Sequence, residues 1–177
     1  EKEYQNVIII DHKIIFFFFL QYLPVFNLYS IETMMHRIPE LSEHFVYFND
    51  DMILMRQTKP SDFFTKEGSP IIRGNWSSFE SEKLIKRTPI LLGFKKTKIK
   101  GYLGYKRTQD YTAKALGDKR KICLNHTPFS MRKSIITDFL INNETVFLNN
   151  IKSKFRHENL VMIQSIRHAK EPAPSKV

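Results

Sequence analysis

Ile14 to Leu20 is an unbroken apolar run containing four consecutive phenylalanines, Phe16 to Phe19. Left in water, such a segment pairs with other chains. It reads either as a second strand or as a hydrophobic loop packed under the sheet. A membrane offers no escape, because Gln21 and Pro24 follow at once and a span needs roughly 20 apolar residues. With 177 residues, 42% hydrophobic and 26% charged, the chain is long enough for one domain with a real core. Disordered and collagen-like classes are excluded. A single cysteine, Cys123, rules out a disulfide framework and a cysteine zinc site. The start Glu1-Lys2-Glu3 is charged and mixed in sign, unlike a secretory leader. The missing initiator Met leads to the expectation that Glu1 is not a natural beginning.

Val7-Ile8-Ile9-Ile10 reads as an interior strand of an α/β sheet, ending in Asp11-His12. Ser30 opens a helix that Pro39 stops. Phe45-Val46-Tyr47-Phe48, aromatic and β-branched, reads as a strand. Lys59 to Phe64 predicts a turn entering a short helix, and Glu67-Gly68-Ser69-Pro70 another turn. One helix fits Arg107 to Leu116. From Pro128 the spacing of Phe129, Ile135, Ile136, Phe139 and Leu140 is helical, and a further helix is expected from about Thr145 to Phe155. Glu171 to Ser175 is linker-like.

The net charge is +10, and the surplus is local: Lys83 to Lys121 holds thirteen Lys or Arg against Asp110 and Asp118. Such a stretch favours an anionic partner. With Phe94, Tyr102, Tyr105 and Tyr111 among its lysines it suits single-stranded nucleic acid, although no nucleic-acid-binding motif accompanies it. A solvated loop, or a surface for acidic lipid or an anionic polymer, accounts for it equally well.

Asn49-Asp50-Asp51 follows directly on a strand. In open α/β sheets ligands sit beyond the carboxyl ends of strands. Two adjacent carboxylates repel each other, and a magnesium or manganese ion carrying a diphosphate would neutralise both. A plain turn explains the same three residues. Glu32 and His36 lie four apart on one helix face, as a metal or proton-sharing pair or as an ordinary helix contact. His126 precedes a helix, where a general base, a phosphate contact or a cap would fit. Arg156-His157-Glu158 offers a guanidinium for phosphate, or else a solvated helix end.

Together these residues resemble the Stealth family of sugar-phosphate transferases, which includes bacterial capsular polysaccharide phosphotransferases and the lysosomal-enzyme N-acetylglucosamine-1-phosphotransferase α/β subunit. The likeness is dense from Leu23 to Phe64: Leu-Pro-Val-Phe-Asn, then Ile31 to Asp51, then Lys-Pro-Ser-Asp-Phe-Phe. Asp11-His12-Lys13 fits the upstream edge of that second conserved block. Asn125 to Phe129 and Phe155 to Glu158 resemble the third block. The first block, with its Tyr-Thr-Trp-Val-Asp-Gly strand, and the fourth are absent, and the Phe16–Phe19 run stands where the family has more polar residues.

The resemblance implies a nucleotide-sugar transferase domain of mixed α/β class, glycosyltransferase-A-like and Rossmann-type. The domain is expected to be incomplete, with a helical C-terminal part, over residues 1–170, followed by a tail at 171–177. It implies transfer of a hexose (N-acetylhexosamine) 1-phosphate from a UDP-sugar such as UDP-N-acetylglucosamine to a glycan hydroxyl, releasing UMP, in capsule or cell-surface polysaccharide synthesis. Glu32, Asp51, His126 and Arg156 match the family's active-site positions. Asp50 and Asp51 would hold Mg2+ or Mn2+, and Arg156 with Asn49 would contact the nucleotide. His126 or Glu32 would be the base. The expected setting is cytoplasmic, with the basic stretch steering an anionic polymer or holding the chain on an anionic inner leaflet. Three other readings are kept: a UDP-releasing glycosyltransferase, a basic nucleic-acid-binding module, and a catalytically inactive fragment.

Overall fold

The computed structural model describes residues 7–79, 100–157 and 159–166. Residues 83–99 of the basic stretch, Phe94 among them, lie outside the described residues, as do Glu158 and the Glu171–Ser175 tail.

The described chain is a mixed α/β assembly of short helices around two small antiparallel ribbons. In the first ribbon β1 (His44–Tyr47) pairs with β4 (Phe129–Arg132); in the second β2 (Gly74–Ser77) pairs with β3 (Lys121–Leu124). Residues 125–128 therefore carry the chain from one ribbon to the other. The helices are α1 (His12–Ile15), α2 (Leu28–Met34), α3 (Lys100–Ala115), α4 (Lys133–Asn142) and α5 (Glu144–Lys152). Every described strand pairs antiparallel, so the described residues build two small ribbons and lend no support to the Rossmann-type part of the expected fold. Val7–Ile10 is correspondingly no interior strand. Its backbone carries no strand pairing, and Val7, Ile8 and Ile9 are 67%, 79% and 91% exposed.

The phenylalanine run resolves by helical geometry. Past the short α1, residues Phe17–Tyr22 form 3-10 turns kinked at Phe19, whose φ of −136° and ψ of 27° are not helical. Phe16 is buried and Phe19 packs edge-on against Phe147, ring centroids 5.2 Å apart, while Phe17 and Phe18 face outward. Only half of the run is packed.

The helix expected at Ser30 begins earlier. Asn27 caps α2 by accepting from the Tyr29 N–H (3.2 Å), which leaves Ser30 inside the helix, donating to the Asn150 carbonyl. Phe129–Arg132, expected to be helical, is strand β4, and the helix starts only at Lys133. Arg132 offers α4 no side-chain cap. Glu43, just before β1, substitutes by accepting from the Ser134 N–H (3.1 Å) and from Arg132 Nε (3.0 Å), which ties the ribbon to the helix.

The core has three neighbouring parts, and the segment Leu160–Ile166 takes part in two of them. Its backbone is fastened by Asn150, which is fully buried. Asn150 Nδ2 donates to the Val161 carbonyl and to Thr33 Oγ1, both at 2.9 Å, and its Oδ1 accepts from the Val161 N–H at 3.0 Å. One amide thus joins α5, α2 and the final segment. Glycine is required at Gly74, where a Cβ would come within 2.7 Å of the Cys123 carbonyl across the second ribbon.

Candidate active site

The register of the first ribbon builds the site. Tyr47, the last residue of β1, stands opposite Phe129, the first of β4. The end of one strand and the start of the other are therefore side by side, and so are the loops beyond them. Asn49–Asp51 continues from β1, and Asn125–Pro128 leads into β4. This brings Asp51 and His126 together, with Oδ2 and Nε2 3.0 Å apart, although they are 75 residues apart in sequence. Both side chains are exposed, 61% and 64% respectively, so their attraction is screened by water and adds little to stability. With Nε2 engaged on the carboxylate, Nδ1 is the imidazole nitrogen left to accept a proton.

Glu32 lies in a different environment. It is 2% exposed, and its Oε1 accepts from the Tyr47 hydroxyl at 2.8 Å and from Gln164 Nε2 at 2.5 Å. Its Oε2 is buried with no hydrogen-bond partner among the described residues. Burial pushes the carboxyl pKa up to about 7, against the opposing pull of Tyr47, Gln164 and the Arg156 charge. The Arg156 guanidinium lies over the Tyr29 ring, 4.8 Å from its centroid, one turn before Glu32 on α2. Burial also pushes the Tyr29 hydroxyl up to about 12, with Arg156 pulling it back.

The four expected catalytic residues thus fall into two neighbourhoods, Asp51 with His126 and Glu32 with Arg156. Tyr47 links them. Its hydroxyl holds Glu32, its ring stacks on Phe129 with centroids 6.3 Å apart, and its pKa is raised by burial, by Glu32 and by Asp50. Asn49 is half-buried, and its carbonyl accepts from the Met52 N–H at 3.2 Å, so Asn49–Asp51 forms the turn that the plain reading expected. His36 does not join Glu32. The α-helix tightens after Met34, and the His36 Nδ1–H donates to the Thr33 carbonyl (2.8 Å) on the far side, beside Leu140 and Phe147.

Among the described residues no group of three His, Cys, Asp or Glu gathers around one point. Asp50 and Asp51 are consecutive, exposed and all-oxygen donors. That set fits magnesium, which is held by one or two carboxylates and completes its shell with phosphate oxygens and water. Asp51 Oδ2 faces His126, which leaves its Oδ1 to a cation.

Tyr47, Gln164 and Tyr29 were not singled out by the sequence. Gln164 carried the faint signal of a lone amide within the otherwise apolar stretch Leu160–Ile163 and Ile166.

Residues 1–72, the portion that contains α1, α2, β1, Glu32 and Asp51, match the family model described as Stealth protein CR2, conserved region 2. This stretch is similar to Stealth conserved region 2. Curated relatives align with the same part of the chain. The receptor polysaccharide phosphotransferase WefC of Streptococcus oralis is 48% identical over 66 residues, 37% of this chain and 19% of the relative. The capsular polysaccharide phosphotransferase LcbA of Neisseria meningitidis is 52% identical over 66 residues, 37% of this chain and 18% of the relative. The exopolysaccharide phosphotransferase cps2G of Lactiplantibacillus plantarum is 55% identical over 65 residues, again 37% and 19%. The match thus spans about one-fifth of these relatives' lengths. His126 and Arg156 lie beyond the Stealth region, and the fold returns His126 to it through β4 and Arg156 through α5 and Tyr29.

Proposed function

We propose that this chain belongs to the catalytic part of a sugar-phosphate transferase of capsule or cell-surface polysaccharide synthesis. On this reading it moves a hexose (N-acetylhexosamine) 1-phosphate from a UDP-sugar to a glycan hydroxyl. The observation that carries the reading is the meeting of Asp51, from the Stealth region, with His126 from outside it. The names of the relatives support a phosphotransferase acting in polysaccharide synthesis.

In the proposed reaction His126 Nδ1 takes the proton of the acceptor hydroxyl while Asp51 holds the ring and stabilises the imidazolium. The acceptor oxygen bonds to the phosphorus nearer the sugar. The bond from that phosphorus to the bridging oxygen breaks, and UMP leaves with the electron pair. Arg156 faces the charge that develops on the transferred phosphoryl group, and Asn49 contacts the nucleotide. Asp50 and Asp51 would hold magnesium or manganese, which supplies neutralising charge at the diphosphate. Glu32, with one oxygen fixed and the other unpartnered, orients a sugar hydroxyl. The finer fold reading, a glycosyltransferase-A-like domain over residues 1–170, and a cytoplasmic setting at an anionic inner leaflet belong to the same proposal. The described residues contain no helix long and apolar enough to cross a membrane.

Phosphorus NMR of the 177-residue chain with UDP-N-acetylglucosamine, magnesium and a short glycan acceptor tests it. Metal-dependent UMP and a new phosphodiester signal, both abolished by EDTA, are the expected result. UDP in place of UMP would make the protein a glycosyltransferase instead.

A further inference from the structure

Phe26 and Phe155 are each 69% exposed, and their rings stack on each other with centroids 5.8 Å apart and planes 18° from parallel. Exposed phenyl rings alone mean little. These two are unusual in being held rigidly from below. The Phe26 N–H donates to the Lys154 carbonyl at 3.0 Å, and next to it the buried Asn27 donates through Nδ2 to the Ser153 carbonyl at 3.1 Å. The loop before α2 and the loop after α5 are thus sewn together, and each contributes one ring. Lys154 stands on this seam, and Arg156, next in sequence after Phe155, lies over Tyr29 toward Glu32.

We infer that the Phe26–Phe155 pair is the platform for the acceptor, and that this acceptor is an anionic glycan chain carrying phosphodiesters. The inference rests on the proposed transfer reaction and names its second substrate. A pyranose ring has an apolar C–H face, which gains by covering a phenyl ring at roughly 25 cal/mol per Å2. Small nucleotides are taken by concave sites that enclose most of the ligand. The Phe26–Phe155 surface is open, as a polymer requires. The charge agrees with the chemistry. Each proposed transfer adds one phosphodiester, so the product that returns as the next acceptor is a polyanion. Lys154 is placed to meet a phosphate beside the rings, while Arg156 marks the end at which the hydroxyl reacts.

The test is a titration of the full chain, carbon-13-labelled at phenylalanine, with a short oligomer of N-acetylglucosamine joined through 1-phosphodiesters. Uncharged chito-oligosaccharide of equal length and UMP serve as comparisons. The expected result is a shift of the Phe26 and Phe155 ring signals by the phosphodiester oligomer, with weaker binding of the uncharged one and weaker binding as salt rises. In F26A/F155A, with native dispersion of the amide spectrum retained, affinity should fall at least about tenfold, a loss on the order of 1.4 kcal/mol. F155W keeps an aromatic face and should keep binding. Three outcomes overturn the inference: no binding of the oligomer, binding undiminished in F26A/F155A, or equal shifts of both rings by UMP alone. Because the titration needs no turnover, a failed platform with UMP still produced removes this inference only. Binding without any transfer leaves the platform standing and removes the proposed reaction.

Discussion

Glu32 is a carboxyl group enclosed by protein, with two donors on one oxygen and, among the described residues, none on the other. Its pKa rises from 4.5 to about 7 on folding. A raised folded pKa means that the native state binds the proton more tightly than the unfolded one. The stabilisation is therefore complete below about pH 4.5 and is lost as pH climbs to about 7. The amount is on the order of 3 kcal/mol. Urea denaturation across that range should show this slope, and Glu32→Gln should flatten it. Asp51 and His126 are predicted to behave in the opposite way. Because both are exposed, Asp51→Asn and His126→Ala should leave the unfolding midpoint within about 0.5 kcal/mol of the parent. In the phosphorus NMR assay the same changes should cut transfer by about two orders of magnitude or more. At this scale the sequence was informative about charged groups and silent about their holders. Asp50, Asp51, Glu32 and Arg156 attract notice because ionised side chains are costly to bury and useful in chemistry. Tyr47 and Gln164 became visible only once the fold had aimed them at Glu32, since any Tyr or Gln has the same donors.

Helices α2, α4 and α5 were legible because their apolar spacing is local, although the cap of α2 is Asn27 and not Ser30. The strand β4 was not. Phe129 lies seven residues before Ile136 and so fits a helix face, whereas with Met131 it lines one side of a strand, and the decision is made by β1, far away in sequence. The same non-locality explains Val7–Ile10, whose apolar run resembles a buried strand but in which Val7, Ile8 and Ile9 stay exposed while Ile10 packs against the core. Asn150 is the element-scale device that replaces a wider sheet here. Truncation to alanine would strand the Val161 N–H and carbonyl, at roughly 1–3 kcal/mol for each buried group left unmatched, while the Thr33 hydroxyl would lose one donor and keep its bond to the Tyr29 carbonyl. Asn150→Ala should therefore lower stability by several kcal/mol, read as a lower urea midpoint with an unchanged slope.

For the molecule as a whole, the notable property is its uncovered apolar surface at the N-terminal side. Val7, Ile8, Ile9, Phe17, Phe18 and Leu20 are all exposed, with the Arg37 guanidinium over Phe18 at 5.2 Å as partial cover. Surfaces of this kind associate. Sedimentation velocity should show concentration-dependent self-association of the chain, and F17E/F18K should shift it toward monomer without changing its circular dichroism. The hydrophobic loop expected of the phenylalanine run is packed only in part, since Phe16 is buried and Phe19 meets Phe147 while Phe17 and Phe18 stay exposed.

The pairing of β1 with β4 has one more consequence, for how such a site varies over time. Asp51 and His126 are set by register and not by the length of chain between them. Material inserted between the two strands lengthens a closed loop, and doubling that length costs only about 0.6 kcal/mol. A slip of one residue in the pairing instead displaces His126 by about 3.4 Å and turns Tyr47 to the other face. Homologous chains should therefore differ freely in the amount of sequence separating these strands, while insertions and deletions inside the strands themselves are selected against.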